Sequence, residues 1–135
     1  MSNNLSYYAS DKLIDHLTGK ASYTSPTVYV ALSSTTPTVS GTNVTEPSGG
    51  SYARVTTSAS TWNSAASGAT TNALAITFPQ ATADWASGSN FTYGVLYDAP
   101  TGGNMLGFGL ISVAKSVLSG DQANISAASL SITFN

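Results

Sequence analysis

The sequence predicts a mainly β fold, an antiparallel β-sandwich or jelly-roll-like barrel of seven or eight short strands with one N-terminal α-helix. Three observations support this prediction. Short apolar stretches with a period of two recur along the chain, clusters of Gly, Pro, Asn and Ser separate them, and helical periodicity is confined to the first 18 residues. At 135 residues the chain suits a single β domain, 1–135, with one core.

The N-terminal stretch 3–18 is predicted to be the helix. Apolar residues recur there at intervals of three and four, at Leu5, Tyr8, Ala9, Leu13 and Leu17. Asn3, Asn4 or Ser6 can cap the start, and Gly19 stands where a glycine commonly ends a helix. We expect the apolar face to close the β core, and docking on a partner is the alternative.

The stretch 93–111 is predicted to be a β-hairpin. Tyr93 to Tyr97 alternates with a period of two, and so does Met105 to Ile111, where Leu106 and Phe108 are expected to share a face. The linker between them carries Pro100 and two glycines, which suit a tight reversal.

The remaining predicted strands lie before and after this hairpin. They are predicted at 27–33, 51–60, 73–78, 112–118 and 129–134, with a turn or helical twist at 80–88. Residues 34–50 are predicted to form a long exposed loop, because they hold two prolines and three glycines among Ser, Thr and Asn. Connections of this length are uncommon in compact domains, so the loop is either flexible or an arm that orders against a neighbouring subunit.

Composition excludes several classes of function. Charged residues make up only 7% of the chain and the net charge is −2, which gives no field to attract nucleic acid. Weak repulsion between copies also permits self-assembly. The chain has no cysteine, no apolar run long enough to cross a membrane and no signal-peptide pattern, so we expect synthesis in a cytoplasm and no membrane partner.

The search for chemistry predicts no catalytic, cofactor-binding or metal-binding residue. His16 is the only histidine and has no evident nucleophile to serve. The carboxylates are scattered, several of them where Asp makes local hydrogen bonds: Asp11, Asp15, Glu46, Asp84, Asp98 and Asp121. A glycosidase pair among them is not excluded by sequence, but no pattern favours one.

Aromatic residues offer one further option, a face that stacks on sugars. The candidates are Tyr7, Tyr8, Tyr23, Tyr29, Tyr52, Tyr93, Tyr97, Trp62 and Trp85. Most occupy strand positions that a core or a subunit interface would use equally well, so we favour core and interface over a sugar platform.

Five segments, taken in order, resemble a family of small virion proteins of tailed bacteriophages, commonly labelled tail fibre proteins. They read SYYASDKLIDHLTGKASYTSPTVYVAL, EPSGGSYARV, ITFPQATADW, YGVLYDAPTGGNMLGFG and SGDQANISAASLSITF. The resemblance covers nearly the whole chain. It implies a structural component of the virion that is not an enzyme and has no cofactor.

The resemblance leaves two alternative roles for this chain, which differ in the partners that they require. The chain has no shaft, no coiled-coil heptads and no repeats, which favours a capsid decoration or cement protein that stabilises the particle through subunit contacts. The alternative is a tail fibre or baseplate tip protein that binds a carbohydrate or receptor on the host surface. In either role we expect contacts with other virion proteins, such as the major capsid protein or tail proteins, and a homo-oligomer, with a trimer as the favoured form.

Overall fold

The structure, a computed structural model, describes residues 4–85, 90–111 and 116–134, and within them it is mainly β with one α-helix, as predicted. The helix α1 is Tyr7–Thr18, and a short 3-10 helix covers Ala59–Thr61. The strands are β1 Asn4–Leu5, β2 Tyr29–Ser33, β3 Val55–Thr56, β4 Ala69–Thr71, β5 Ile76–Thr77, β6 Tyr93–Tyr97, β7 Met105–Leu110, β8 Asn124–Ile125 and β9 Ser131–Thr133.

Seven of these strands form one sheet in the order β3-β2-β6-β7-β1-β9-β4, and β5 pairs with β8 in a second, two-stranded sheet. The pairs are antiparallel except for β1 with β9, where Asn4 lies beside Thr133 in a parallel arrangement. The first and last strands of the chain therefore meet next to the hairpin β6–β7, which lies at the centre of the sheet.

The helix begins at Tyr7, not at Asn3. Asn4 and Leu5 form β1 instead, because their backbones pair with β7 and β9. Ser6 is the N-cap among the three predicted candidates, and its Oγ accepts a hydrogen bond from the Ala9 amide at 3.1 Å. Gly19 ends the helix in the left-handed conformation, as predicted, with φ of 78°.

The hairpin is confirmed, with β6 at the predicted bounds and β7 one residue shorter than predicted. Its register shifts between Leu96 and Tyr97, so that Leu96 lies opposite Gly107 and Tyr97 lies opposite Met105. The extra residue turns Leu106 toward one core cluster, while Phe108 joins the other. The expectation that these two residues share a face was therefore wrong.

Both faces of the hairpin are buried. On one face, Leu96 and Leu106 belong to a large core that includes α1, β5, β8 and Leu130. On the other face lies a smaller cluster of Ala31, Tyr93, Val95, Tyr97, Met105 and Phe108. An antiparallel sheet commonly leaves one face to solvent, so burial of both faces requires a cover on the second.

Glycines in the hairpin allow other strands to approach it. A Cβ atom at Gly109 would lie 2.2 Å from the carbonyl oxygen of Ser131, and one at Gly107 would lie 2.9 Å from that of Asn4. Neither gap admits a side chain. These two positions explain how β1 and β9 pack closely against β7.

Several other predicted strands are shorter than expected. Of 51–60 only Val55–Thr56 is strand, followed by the 3-10 helix, while 27–33, 73–78 and 129–134 shrink to β2, β5 and β9. Residues 80–85 form bends without a helix, and 86–88 lie outside the described residues. The predicted strand 112–118 falls largely on residues outside the described part, and its described portion, 116–118, is not strand. Strands β4 and β8 were not predicted.

Candidate functional site

The loop 34–50 contains neither helix nor strand, as predicted, but it is tied to its own chain. The Ser33 hydroxyl accepts hydrogen bonds from the amides of Thr35 at 3.2 Å and Thr45 at 3.0 Å, which closes the base of the loop. Val39 and Val44 pack on the smaller core cluster. The loop is therefore the cover for the second face of the hairpin, which neither of the two sequence-based interpretations included.

Arg54 joins this loop to two other segments. Its Nε lies 2.9 Å from Glu46 Oε2 and its Nη2 lies 3.0 Å from Oε1, so the pair is bidentate. Its Nη1 donates to the carbonyl oxygens of Ala99 and Gly102, each at 2.9 Å, and its guanidinium carbon lies 3.7 Å from the Tyr97 ring centre. The side chain of Arg54 is only 7% exposed and that of Glu46 is 23% exposed.

Tyr52 completes the cluster. Its hydroxyl donates to Glu46 Oε2 at 2.5 Å and accepts from the Leu32 amide at 3.3 Å. Burial raises the pKa of this hydroxyl well above its ordinary value, and the hydrogen bond to Glu46 raises it further. The ring packs edge-on against Trp85, with ring centres 5.2 Å apart, so the cluster is anchored in the main core.

The hairpin turn is shaped to present its carbonyl groups to Arg54. Asp98 accepts hydrogen bonds from the Asn104 amide at 2.7 Å and from its side-chain nitrogen at 3.0 Å. Burial alone would raise the pKa of Asp98, but these hydrogen bonds outweigh it and lower the pKa below its ordinary value. Gly102 and Gly103 both have positive φ, which turns the backbone back toward β7.

Between the loop and the turn lies a groove of about 390 Å³. Its floor is formed by the half-buried Glu46, Tyr52 and Arg54, and its rim is formed by the exposed residues 48–49 and 100–102. Because Glu46 and Arg54 neutralise each other, the groove has little net charge and offers hydroxyl groups, backbone groups and the ring of Pro100. Such a surface suits an uncharged, hydroxyl-rich molecule better than a phosphate or a metal ion.

Among the carboxylates considered from the sequence, the described structure pairs Glu46 with a cationic partner, Arg54. Two others make local hydrogen bonds, as predicted: Asp98 to Asn104, and Asp121 to the Leu118 amide. Asp84 instead accepts from the distant Ser119 amide at 2.9 Å.

The single histidine makes a local structural contact. His16 accepts from the Tyr23 amide at 3.1 Å through Nδ1, which ties the end of α1 to the segment that follows it. In the described ranges, no group of three or more His, Cys, Asp or Glu side chains could hold a metal ion.

Six of the nine aromatic candidates lie in the core or pack against it. Tyr93, Tyr97 and Trp85 are buried. Tyr8, Tyr23, Tyr29, Tyr52 and Trp62 are half-buried, and Tyr7 is exposed. Sequence reasoning missed the cluster of Glu46, Tyr52 and Arg54. One signal could have found it, because Arg54 is the chain's one arginine and lies eight residues after a glutamate in a chain with few charges.

Comparison with known proteins identifies a family whose model matches this chain. Residues 4–133 match the model of a family described as podophage GP4 fiber I protein gp80. A search of curated proteins found no match. Where the structure describes the chain, no helix combines the length and apolar character needed to cross a bilayer.

Proposed function

The chain belongs to the podophage GP4 fiber I protein gp80 family, and from this premise we propose that it is a tail-fibre protein whose groove binds host-surface carbohydrate. The family is one of phage fibre proteins, so the chain is a structural protein of the virion. This membership favours the tail-fibre alternative over capsid decoration, which the lack of a shaft and of repeats had favoured. It also supports a role without catalysis.

The observation that carries the proposal is the groove between the loop 34–50 and the hairpin turn. Loops held on a rigid scaffold commonly bind ligands, and here Arg54 fixes both walls of the groove through four hydrogen bonds. The exposed residues Ser48 and Thr101 on the rim supply hydroxyl groups, and Tyr52 supplies part of an aromatic ring. Neutral hydrogen-bonding groups beside an aromatic plane are suited to a sugar.

A glycan array with the isolated chain tests this proposal. We expect specific binding that is lost, by about tenfold or more, when the groove is filled by Ser48→Tyr or Thr101→Tyr. Both changes leave Glu46, Tyr52 and Arg54 in place. The control is Ser40→Tyr, at an exposed position of the same loop that does not line the groove. Absence of glycan binding, or equal binding by all four proteins, would overturn the carbohydrate assignment.

The location in the particle tests the fibre assignment separately. Immunogold labelling of intact virions is expected to mark tails, and labelling confined to heads would restore capsid decoration as the better interpretation. We also propose that the protein acts as a homo-oligomer and contacts other tail proteins. The low net charge supports this, since copies would repel one another only weakly.

A further inference from the structure

Helix α1 carries apolar residues on the side that faces away from the core. Ala9 is buried and Leu13 is half-buried, which defines the inner face. Tyr7, Ile14 and Leu17 lie on the outer side and are 62%, 48% and 85% exposed. The prediction that Leu17 joins the inner face was wrong, and its exposure shows that the apolar pattern of this helix serves two faces.

The outer residues follow the spacing of a coiled-coil contact. Tyr7, Ser10, Ile14 and Leu17 are separated by three, four and three residues, which corresponds to the a and d positions of a heptad. We call these four residues the seam. Ser10 is half-buried, and as the small member of the seam it leaves room for close approach. The seam spans fewer heptads than the three or four that identify a coiled coil in a sequence, so it emerges only once the exposures are known.

Charge on the two flanks of the seam distinguishes between possible arrangements. Asp11 and Asp15 lie along one flank of the seam and are exposed, whereas Leu13 lies on the other flank. In an antiparallel pair of helices, each flank would face the same flank of the partner, and the acidic flanks would repel. In a parallel arrangement around a rotational axis, the acidic flank of one helix faces the Leu13 flank of the next.

We propose that the seam is the contact between copies of this chain, with the α1 helices packed parallel around a rotational axis. This inference rests on the proposal that the protein works as a homo-oligomer, and it names the surface. The three large side chains expose roughly 400 Å², about half of what one partner contributes to a standard interface. Association through the seam is therefore expected to be weak and dependent on protein concentration.

Sedimentation velocity of the full chain, from about 1 μM to about 1 mM, tests the surface. We expect association that rises with concentration and that Leu17→Lys weakens about tenfold or more. This substitution should not impair folding, since Leu17 makes little contact with the core. The matched control is Leu74→Lys, at a leucine that is 53% exposed on another part of the molecule, and it should associate like the unmodified chain.

A single introduced thiol tests the orientation. The chain has no cysteine, so Ser10→Cys places the same thiol in each copy. In a parallel contact these thiols face one another, within the roughly 4.4–6.8 Å between Cα atoms that a disulfide spans. Mild oxidation should give a covalent dimer on a non-reducing gel, and Leu74→Cys should give none.

Three results would overturn the seam: a monomer at every concentration, association unaffected by Leu17→Lys, or no cross-link through Ser10→Cys. If the chain is a monomer and its helix binds another virion protein, that result counts as the first of these three. The glycan array does not depend on the outcome, so loss of the seam and loss of the carbohydrate proposal can be told apart.

Discussion

At the scale of single residues, Arg54 decides where the groove lies. Its guanidinium group donates hydrogen bonds to the Glu46 carboxylate in the loop 34–50 and to two carbonyl groups of the hairpin turn, and it stacks on Tyr97. A buried ion pair adds little net stability, but removal of one partner leaves an uncompensated charge at a cost of roughly 3–5 kcal/mol. The pair therefore acts mainly as a constraint that holds three segments in one arrangement.

Tyr52 should make the protein sensitive to alkaline pH. Because burial and Glu46 raise the pKa of its hydroxyl above 10.0, the unfolded chain releases this proton from about pH 10 while the folded chain keeps it. The folded state then binds more protons, so stability is complete below pH 10 and falls as pH rises, by at most about 1.4 kcal/mol per pH unit for one group. The pKa values of Tyr23 and Tyr97 are also raised by burial and act in the same direction.

Urea unfolding between pH 7 and pH 11.5 measures this effect. Tyr52→Phe should lower the unfolding free energy at pH 7 by about 1.5–3 kcal/mol, because a hydrogen bond to a charged group is lost. It should also flatten the decline above pH 10. Tyr7→Phe, at an exposed ring, is the control and should follow the unmodified chain. A decline equally steep in Tyr52→Phe would contradict the argument.

At the scale of elements, the hairpin β6–β7 organises the molecule because its glycines let the segment that enters β9 pack closely against it. Gly109 lies beneath β9, and Gly94 lies beneath Leu130, whose Cδ1 would be 3.0 Å from an added Cβ. The bulge beside Tyr97 then directs Leu106 toward α1. The glycines and the bulge thus determine which parts of the molecule pack against the hairpin.

Gly109→Ala should destabilise the protein by about 3 kcal/mol or more, because its Cβ atom would overlap the Ser131 carbonyl oxygen and displace β9. The comparison is Gly102→Ala, where φ is +59° and no atom lies within 4 Å of the added Cβ. That change carries only the cost of a left-handed conformation, about 1–2 kcal/mol. Equal losses in chemical denaturation would show that β9 can move away from β7 at little cost.

At the scale of the whole molecule, the sheet separates two cores of unequal size, and the smaller one is covered by a loop. Val39 and Val44 close that core, and Ser33 and Arg54 hold the ends of the loop. The loop is therefore held in place by contacts with its own chain.

Limited proteolysis tests this description of the loop. A protease that cleaves after Glu should cut slowly at Glu46 in the isolated chain, because the side chain is held by Tyr52 and Arg54. Val39→Asp with Val44→Asp should accelerate cleavage about tenfold or more by releasing the loop from the core. The control is Ser40→Asp, at an exposed position between them. Rapid cleavage of the unmodified chain would mean that the loop opens independently of its contacts.

Local patterns in the sequence were sufficient for the features whose physics is local. The hairpin, the left-handed Gly19 and the hydrogen bonds of Asp98 and Asp121 each depend on periodicity or turn preference within a few residues. The mainly β character follows from the same patterns. For the candidate groove, the sequence offered only a lone arginine near a glutamate.

Only the tertiary structure decided which faces are buried, because burial depends on partners that are distant in the chain. Asn4 leaves a helical pattern to pair with β7 and β9, and the loop 34–50 covers a core that the sequence had not divided in two. Leu17 shares the helical period of Ala9 and yet faces solvent. The amino-acid sequence determined the kinds of element and their turns, whereas long-range pairing and packing determined the groove and the exposed seam.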